Sequence, residues 1–167
     1  MPTIHRRYTL KSKQARNILN IAQQENKRKK DLVFSSKIKV EIVEADVGVI
    51  YLVNSKPVLF KSEDRILPTL LYEEFIRQTP KIVVDMGAVP HVCNGADIMA
   101  PGIVEIEGEF NESELVIVVD EKYKKTLALG ESLYNSEKIR ESKQGAVIKN
   151  LHFVSDKIWN FAKALED

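Results

Sequence analysis

The sequence predicts an α+β chain in two parts. A small α/β unit comes first, and a mixed β pseudo-barrel with a C-terminal helix follows it. Three observations carry this. Apolar residues recur at helical spacing near both ends, short β-branched runs fill the stretch between, and Pro68 and Pro80 bracket the place where the pattern changes. At 167 residues with 44% apolar content, the chain can bury one ordinary core or two small ones.

From Leu10 to Gln23 the residues Ala15, Ile18, Leu19 and Ala22 share one helical face, with Ser12 as a cap and Lys11, Lys13 and Arg16 around them. The run ENKRKKD, with Lys27, Arg28, Lys29 and Lys30 consecutive, reads as an exposed loop or helix end. KIKVEIVEA alternates Ile38, Val40 and Ile42 with charges, the period of a half-buried strand. VGVIYLV and PVLFK flank Asn54-Ser55-Lys56 and predict a hairpin. LPTLLYEEFIRQTP, with Pro68 near its start and Pro80 at its end, predicts a short helix. Pro80 is the expected boundary, giving domains 1–79 and 80–167, the latter including the terminal helix.

In the second part a β-branched run stops at Asp85, an acid placed to cap a short helix from Gly87 to Gly95. Strands are expected near Asp97–Met99, Ile103–Glu107, Leu115–Asp120, Thr126–Glu131 and Ala146–Phe153, with a helix over Ser136–Ser142. Many short strands at close spacing predict a small barrel. SDKIWNFAKAL then places Ile158, Phe161, Ala162 and Leu165 on one side of a final helix, with Ser155 as its cap.

The charge is uneven. Residues 1–30 carry nine basic side chains against the single acid Glu25, a net +8, whereas residues 80–167 carry ten against fifteen, a net −5. A basic face that attracts phosphate beside an acidic body is the consequence. The lone Cys93 excludes an intramolecular disulfide, and one Cys with three His gives no Cys/His metal cluster. No apolar run reaches the roughly 18 residues of a membrane helix, so a cytoplasmic protein is expected. Catalytic motifs are missing: there is no phosphate loop, no paired-glycine dinucleotide turn and no Gly-x-Ser-x-Gly elbow. Cys93 and His91 stand two apart, and residues at i and i+2 do not face each other on a helix. Glu41, Glu44 and Asp46 read as the wet face of a strand. The expectation is a protein that is not an enzyme and carries no cofactor or metal.

VVDMGAVPHVCNGADIMAPGI, with LALGESLYNSEKI and GAVIKNLHFVSDKIW, resembles the PUA domain, a small RNA-binding barrel named for pseudouridine synthases and archaeosine transglycosylases. The resemblance spans roughly residues 80–155. GADIMAPGI, LHFVSDKIW and the upstream PVLFK…LPTL are further similar to the translation machinery-associated proteins related to the eukaryotic malignant T-cell amplified sequence protein, in which a pre-PUA domain precedes the PUA domain. The compact form points to an archaeal member.

The resemblance implies a groove walled by the helix-to-strand turn, with Ala88, Gly95, Ala96, Asp97, Ile98, Met99, Pro101 and Gly102 as candidate RNA contacts. Gly95 and Gly102 lack a Cβ, so they can take positive φ and let another backbone come close, with Pro101 fixing the turn between them. Met99 is placed to stack on a splayed base, whereas Ile98 reads equally well as barrel core. On the opposite wall Lys143 and Lys149 would meet phosphate, and Gly145 would permit close approach. The basic segment of Lys11, Lys13, Arg16 and Lys27–Lys30 would add phosphate attraction, because EIEGEFNESE makes the barrel itself acidic. The function implied is RNA binding in the translation apparatus, on a tRNA acceptor end or small-subunit rRNA, in initiation or recycling beside the small ribosomal subunit and an initiation-factor-like partner. The alternative is an accessory subunit that targets a tRNA- or rRNA-modifying enzyme.

Overall fold

The computed structural model describes residues 2–25 and 38–166. Lys27, Arg28, Lys29 and Lys30 lie outside the described residues. The chain folds into two compact units, one reaching to Phe75 and including the residues from Lys157, the other comprising Ile76–Asp156.

The first unit is an antiparallel five-stranded meander, in the order β1 (Ile4–Thr9), β2 (Val40–Ala45), β3 (Gly48–Val53), β4 (Lys56–Ser62) and β5 (Arg65–Pro68). Helix α1 (Ser12–Glu25) buries Ala15, Leu19 and Ala22 and packs by β5. The Arg65 guanidinium grips the Glu25 carboxylate through two hydrogen bonds of 2.7 and 3.0 Å, holding the end of α1 to that strand. The β3–β4 hairpin turns at Asn54 and Ser55, both with positive φ, as its spacing predicts.

Sequence reasoning misses two strands of this sheet. β1, IHRRYT, is exposed at every position, so the apolar alternation that marks a half-buried strand is absent. β5 has four residues and ends at Pro68, which the sequence reading placed at the start of a helix. Pro68 sits on the sheet's edge strand, where a missing N–H breaks no ladder. The helix is only α2 (Glu73–Gln78).

The second unit holds a six-stranded sheet formed by β6 (Lys81–Val84), β7 (Ile98–Met99), β8 (Ile103–Glu107), β9 (Leu115–Asp120), β10 (Thr126–Ser132) and β11 (Ala146–Phe153), in the spatial order β7-β11-β10-β9-β6-β8. All pairings are antiparallel except β6 with β9. The one-turn helix α3 (Val89–Val92) follows β6, and α4 (Ser136–Glu141) lies between β10 and β11 with the Asn135 side chain accepting from the Lys138 N–H. The core gathers Ile82, Val84, Val92, Ile98, Val116, Val118 and Ile148. β7 to β11 each lie within a residue of the expected span.

Helix α5 (Lys157–Leu165) differs from expectation in its location. It buries Phe161, Ala162 and Leu165, packs with β3 and β4, and belongs to the first unit. Periodicity identifies the apolar face of a helix but carries no information on which sheet receives it. Gly48, with φ 145°, leaves room for the Ile158 side chain, 3.0 Å from where a Cβ would stand.

Candidate functional site

The site is built where β6 ends. The Asp85 N–H donates to the Gly102 carbonyl (2.9 Å), while Asp85 Oδ1 accepts the Ala88 N–H (2.8 Å). One residue therefore ties the strand end both to the 3-10 turn at Ala100–Gly102 and to Ala88, but it is not the expected helix cap: Ala88 holds that position, α3 has no side-chain cap, and the helix is shorter than the expected Gly87–Gly95. Past α3, the His91 carbonyl accepts from Asn94 and Ala96 and turns the chain back. Gly95 there has φ 93°, and a Cβ would sit 3.0 Å from Phe153 Cε1, so backbone and space both demand glycine.

The turn is stapled to β11 by Asn150. Its side-chain amide donates to the carbonyls of Val92 and Ala96, each at 3.0 Å, and its backbone N–H donates to Asp97 Oδ1 at 2.9 Å. Sequence reasoning misses this residue. The available signal is an asparagine inside the strand run AVIKNLHF, where Asn is disfavoured unless a side-chain bond recovers the loss.

These elements enclose a groove of about 600 Å³. Of the residues proposed from sequence, Ala88, Ala96, Asp97, Ile98, Met99, Pro101 and Gly102 line it, joined by Asp85, His91, Val92 and Ala146. Met99 is 49% exposed at the wall, whereas Ile98 is 2% exposed and belongs to the barrel core, offering the groove only its edge. Gly95, Lys143, Gly145 and Lys149 stand outside the lining. Gly145 has φ 84°, its carbonyl accepts the Ala100 N–H at 2.8 Å, and nothing lies within 4 Å of where a Cβ would be. Lys143 and Lys149 are exposed, Lys149 opposite Glu131 in the β10–β11 register. Lys13 and Arg16 are exposed on α1 of the first unit, and Lys11 is exposed just before it.

The expectation for Gly102 needs correction. Its φ is not positive. What applies instead is the close approach: a Cβ would stand 3.3 Å from the Ala88 Cβ, tight enough that one of the two must give by a few tenths of an ångström.

The groove's electrostatics are set by two carboxylates, Asp85 and Asp97, with no Lys or Arg in the lining. Each spends one oxygen on a backbone N–H. Burial pushes the Cys93 thiol up, away from the thiolate a nucleophile needs. His152 is buried, with Nδ1 2.7 Å from the Asp156 carboxylate, a structural placement. Among the described residues, no three His, Cys, Asp or Glu side chains are grouped to hold a metal ion. Nor is any helix among them long and apolar enough to cross a membrane.

This fold and groove define a PUA-domain protein. The PUA domain family matches residues 80–154, and a domain of unknown function, DUF1947, matches residues 6–73. The chain is 43% identical over 132 residues to an uncharacterized protein of Methanocaldococcus jannaschii, covering 78% of this chain and 82% of that one. It is 27% identical over 140 residues to translation machinery-associated protein 20 of Saccharomyces cerevisiae, covering 79% and 77%. The crystal structure of a hypothetical protein from Pyrococcus horikoshii OT3 superposes with a TM-score of 0.74 at 36% identity, over 94% of this chain and 99% of that one. The chain belongs to this family of PUA proteins with an N-terminal DUF1947 domain, to which translation machinery-associated protein 20 is related.

Proposed function

We propose that this chain is a non-enzymatic, cytoplasmic RNA-binding protein of the translation apparatus, taking structured RNA, a tRNA acceptor end or small-subunit rRNA, through the PUA groove during initiation or recycling. The observation that carries the reading is the division of labour at the groove. Its lining offers apolar surface, including the exposed Met99, and carboxylate acceptors, while cations stand outside it at Lys143 and Lys149. A splayed nucleotide needs that order: base inside, on apolar contacts and hydrogen-bond acceptors, and phosphate outside, on ammonium groups. Ala88, Ala96, Asp97, Met99, Pro101 and Gly102 form the base-facing wall in this reading, Gly95 and Gly145 shape its approaches, and Ile98 supports it from the core. The relationship to translation machinery-associated protein 20 supports the setting, with the small ribosomal subunit and an initiation-factor-like protein as proposed partners.

Crosslinking and sequencing of RNA bound to the tagged protein in cells, with co-purifying proteins identified in parallel, tests this. Recovery of tRNA 3′ ends or small-subunit RNA with initiation factors is expected. Recovery of one modifying enzyme with its substrate RNA would replace the translation role with that of a targeting subunit, and absence of enriched RNA would refute RNA binding altogether.

A further inference from the structure

We propose that the turn Glu121–Lys125 is a second RNA-contact site, a single-strand stacking platform centred on Tyr123 that continues the path of the groove. This rests on the RNA-binding reading above.

The groove itself poses the problem. Its lining holds two carboxylates and no Lys or Arg, so ammonium groups for the phosphates on either side of an inserted nucleotide must come from outside it. Lys143 and Lys149 supply one flank. EKYKK supplies three more lysines with an aromatic ring among them.

Tyr123 is 66% exposed, more than any other large apolar side chain among the described residues. The Lys122 ammonium lies 5.1 Å from the centre of its ring. Around that ring the turn is tied down. The buried Asp120 carboxylate accepts the backbone N–H groups of Tyr123 and Lys125, and Glu121 N–H donates to the Val84 carbonyl at 2.9 Å. Lys124 takes a left-handed φ of 55°, with its ammonium 3.1 Å from Glu105 and 3.4 Å from Glu107. The backbone that displays the ring is thus ordered before any ligand arrives, and less conformational freedom is lost on binding.

The turn also touches the groove's frame. Glu121 Oε2 accepts the Met86 N–H at 3.1 Å. Met86 is 43% exposed and follows Asp85, which lines the groove. A strand leaving the groove past Asp85 therefore meets Met86 and then the EKYKK turn. An exposed ring flanked by ammonium groups suits a base on the ring and phosphates on Lys122 and Lys125. An apolar protein surface would have to cover those same charges, which interface cores avoid.

The test uses the full chain and two fluorescent single-stranded RNA probes of mixed sequence, a 4-mer and a 12-mer. Tyr123→Ala is expected to weaken the 12-mer by on the order of tenfold, with Tyr123→Phe close to wild type and the 4-mer unaffected. Ultraviolet crosslinking of the 12-mer is expected to label Tyr123. Wild-type 12-mer affinity in Tyr123→Ala, while Lys143→Glu/Lys149→Glu loses affinity, overturns the platform and leaves the groove reading intact. Equal weakening of both probes by Tyr123→Ala overturns it as well, because the effect would then act through the groove's shape. If wild type binds neither probe and enriches no RNA in cells, the RNA-binding reading fails and the platform with it. If Tyr123→Ala keeps full RNA affinity and loses a co-purifying protein, the turn is a protein site and the proposal is wrong.

Discussion

Replacing Gly130 with alanine tests the packing of the barrel that frames the groove. Gly130 lies in β10 between Asn150 of β11 and Val116 of β9. An added Cβ would stand 2.4 Å from Ile148 Cγ2, 3.3 Å from the Lys149 carbonyl oxygen and 3.4 Å from Val116 Cγ2, and both Ile148 and Val116 are fully buried. Carbon atoms in contact prefer about 3.5–4.0 Å, so the first approach is short by more than 1 Å and must be relieved by the strand or by Ile148. Overpacking of this kind costs about 1–3 kcal/mol, and the severity of the contact puts the expected net loss at about 2–3 kcal/mol. For a unit of this size that lowers the thermal midpoint by roughly 10–20 °C. Far-UV circular dichroism in urea, with hydrogen exchange at the β9–β11 amides, is the appropriate assay, since the sole tryptophan, Trp159, sits on α5 of the other unit. Ile148→Leu removes the offending Cγ2 at nearly constant volume for under about 1.5 kcal/mol, so the double variant should lose at least about 1 kcal/mol less than the sum of the two singles. A Gly130→Ala protein within about 0.5 kcal/mol of wild type, or an additive cycle, would refute the reasoning.

Four further outcomes are expected. Gly102→Val should weaken RNA binding about tenfold while Ala88→Gly in the same chain recovers part of the loss, because the Cβ contact between these residues is the obstacle; titration of both variants against wild type checks it. Lys143→Glu with Lys149→Glu should flatten the slope of log affinity against log salt by about 1.4–1.8, at 0.7–0.9 per phosphate contact, and an unchanged slope removes that wall from the groove. Asn150→Leu should leave the Ala96 carbonyl without its side-chain donor and the Val92 carbonyl with the Gly95 N–H alone, at a cost of about 1–3 kcal/mol, seen as faster hydrogen exchange at the Gly95 and Ala96 amides. The Asp120 carboxyl is held below the ordinary carboxylate range, chiefly by the Tyr123 N–H and further by the Lys125 N–H. Its folded pKa is depressed, so its contribution is complete above the unfolded value and is lost as pH falls through the folded one. Asp120→Asn should therefore be less stable than wild type at neutral pH, with the difference shrinking below about pH 4.

The barrel was legible in the sequence because its strands are short, bounded by Gly or Asn turns and rich in β-branched residues, signals that are local. Val116 to Val119 need no partner to be recognised as buried. What escaped was set by distant neighbours. β1 is a strand only because β2 pairs with it, through Tyr8 opposite Ile42 and Arg6 opposite Glu44, and nothing within IHRRYT announces that. The docking of α5 depends on β3 and β4, about a hundred residues earlier in the chain. The groove shows the same division. Its glycines and Met99 could be named from the motif, yet what a Cβ at Gly102 would meet is Ala88, fourteen residues away, at 3.3 Å, and Asn150 reaches back more than fifty residues to the turn it holds.

The acidity of the second unit also changes meaning once the chain is folded. In the sequence, EIEGEFNESE weighs against RNA binding by the barrel. In the structure Glu105 and Glu107 share the Lys124 ammonium, Glu109 accepts from Arg140 at 2.7 Å and from Ser136, and Asp120 faces backbone N–H groups inside its own turn. Glu114, buried, takes the Asn111 side-chain amide. Exposed pairs of this kind add little stability. Their electrostatic consequence is larger, because a carboxylate beside an ammonium presents a dipole, and a dipole's field falls off faster with distance than that of a charge. Lys124 and Arg140 are already counted in the net charge of −5 over residues 80–167, so the pairing leaves that total unchanged and sets only where the carboxylates' field is locally offset. In the proposed reading the carboxylates of Asp85 and Asp97, which line the groove, would accept hydrogen bonds from a base, and Lys143 and Lys149, which would hold its phosphates, lie outside the lining.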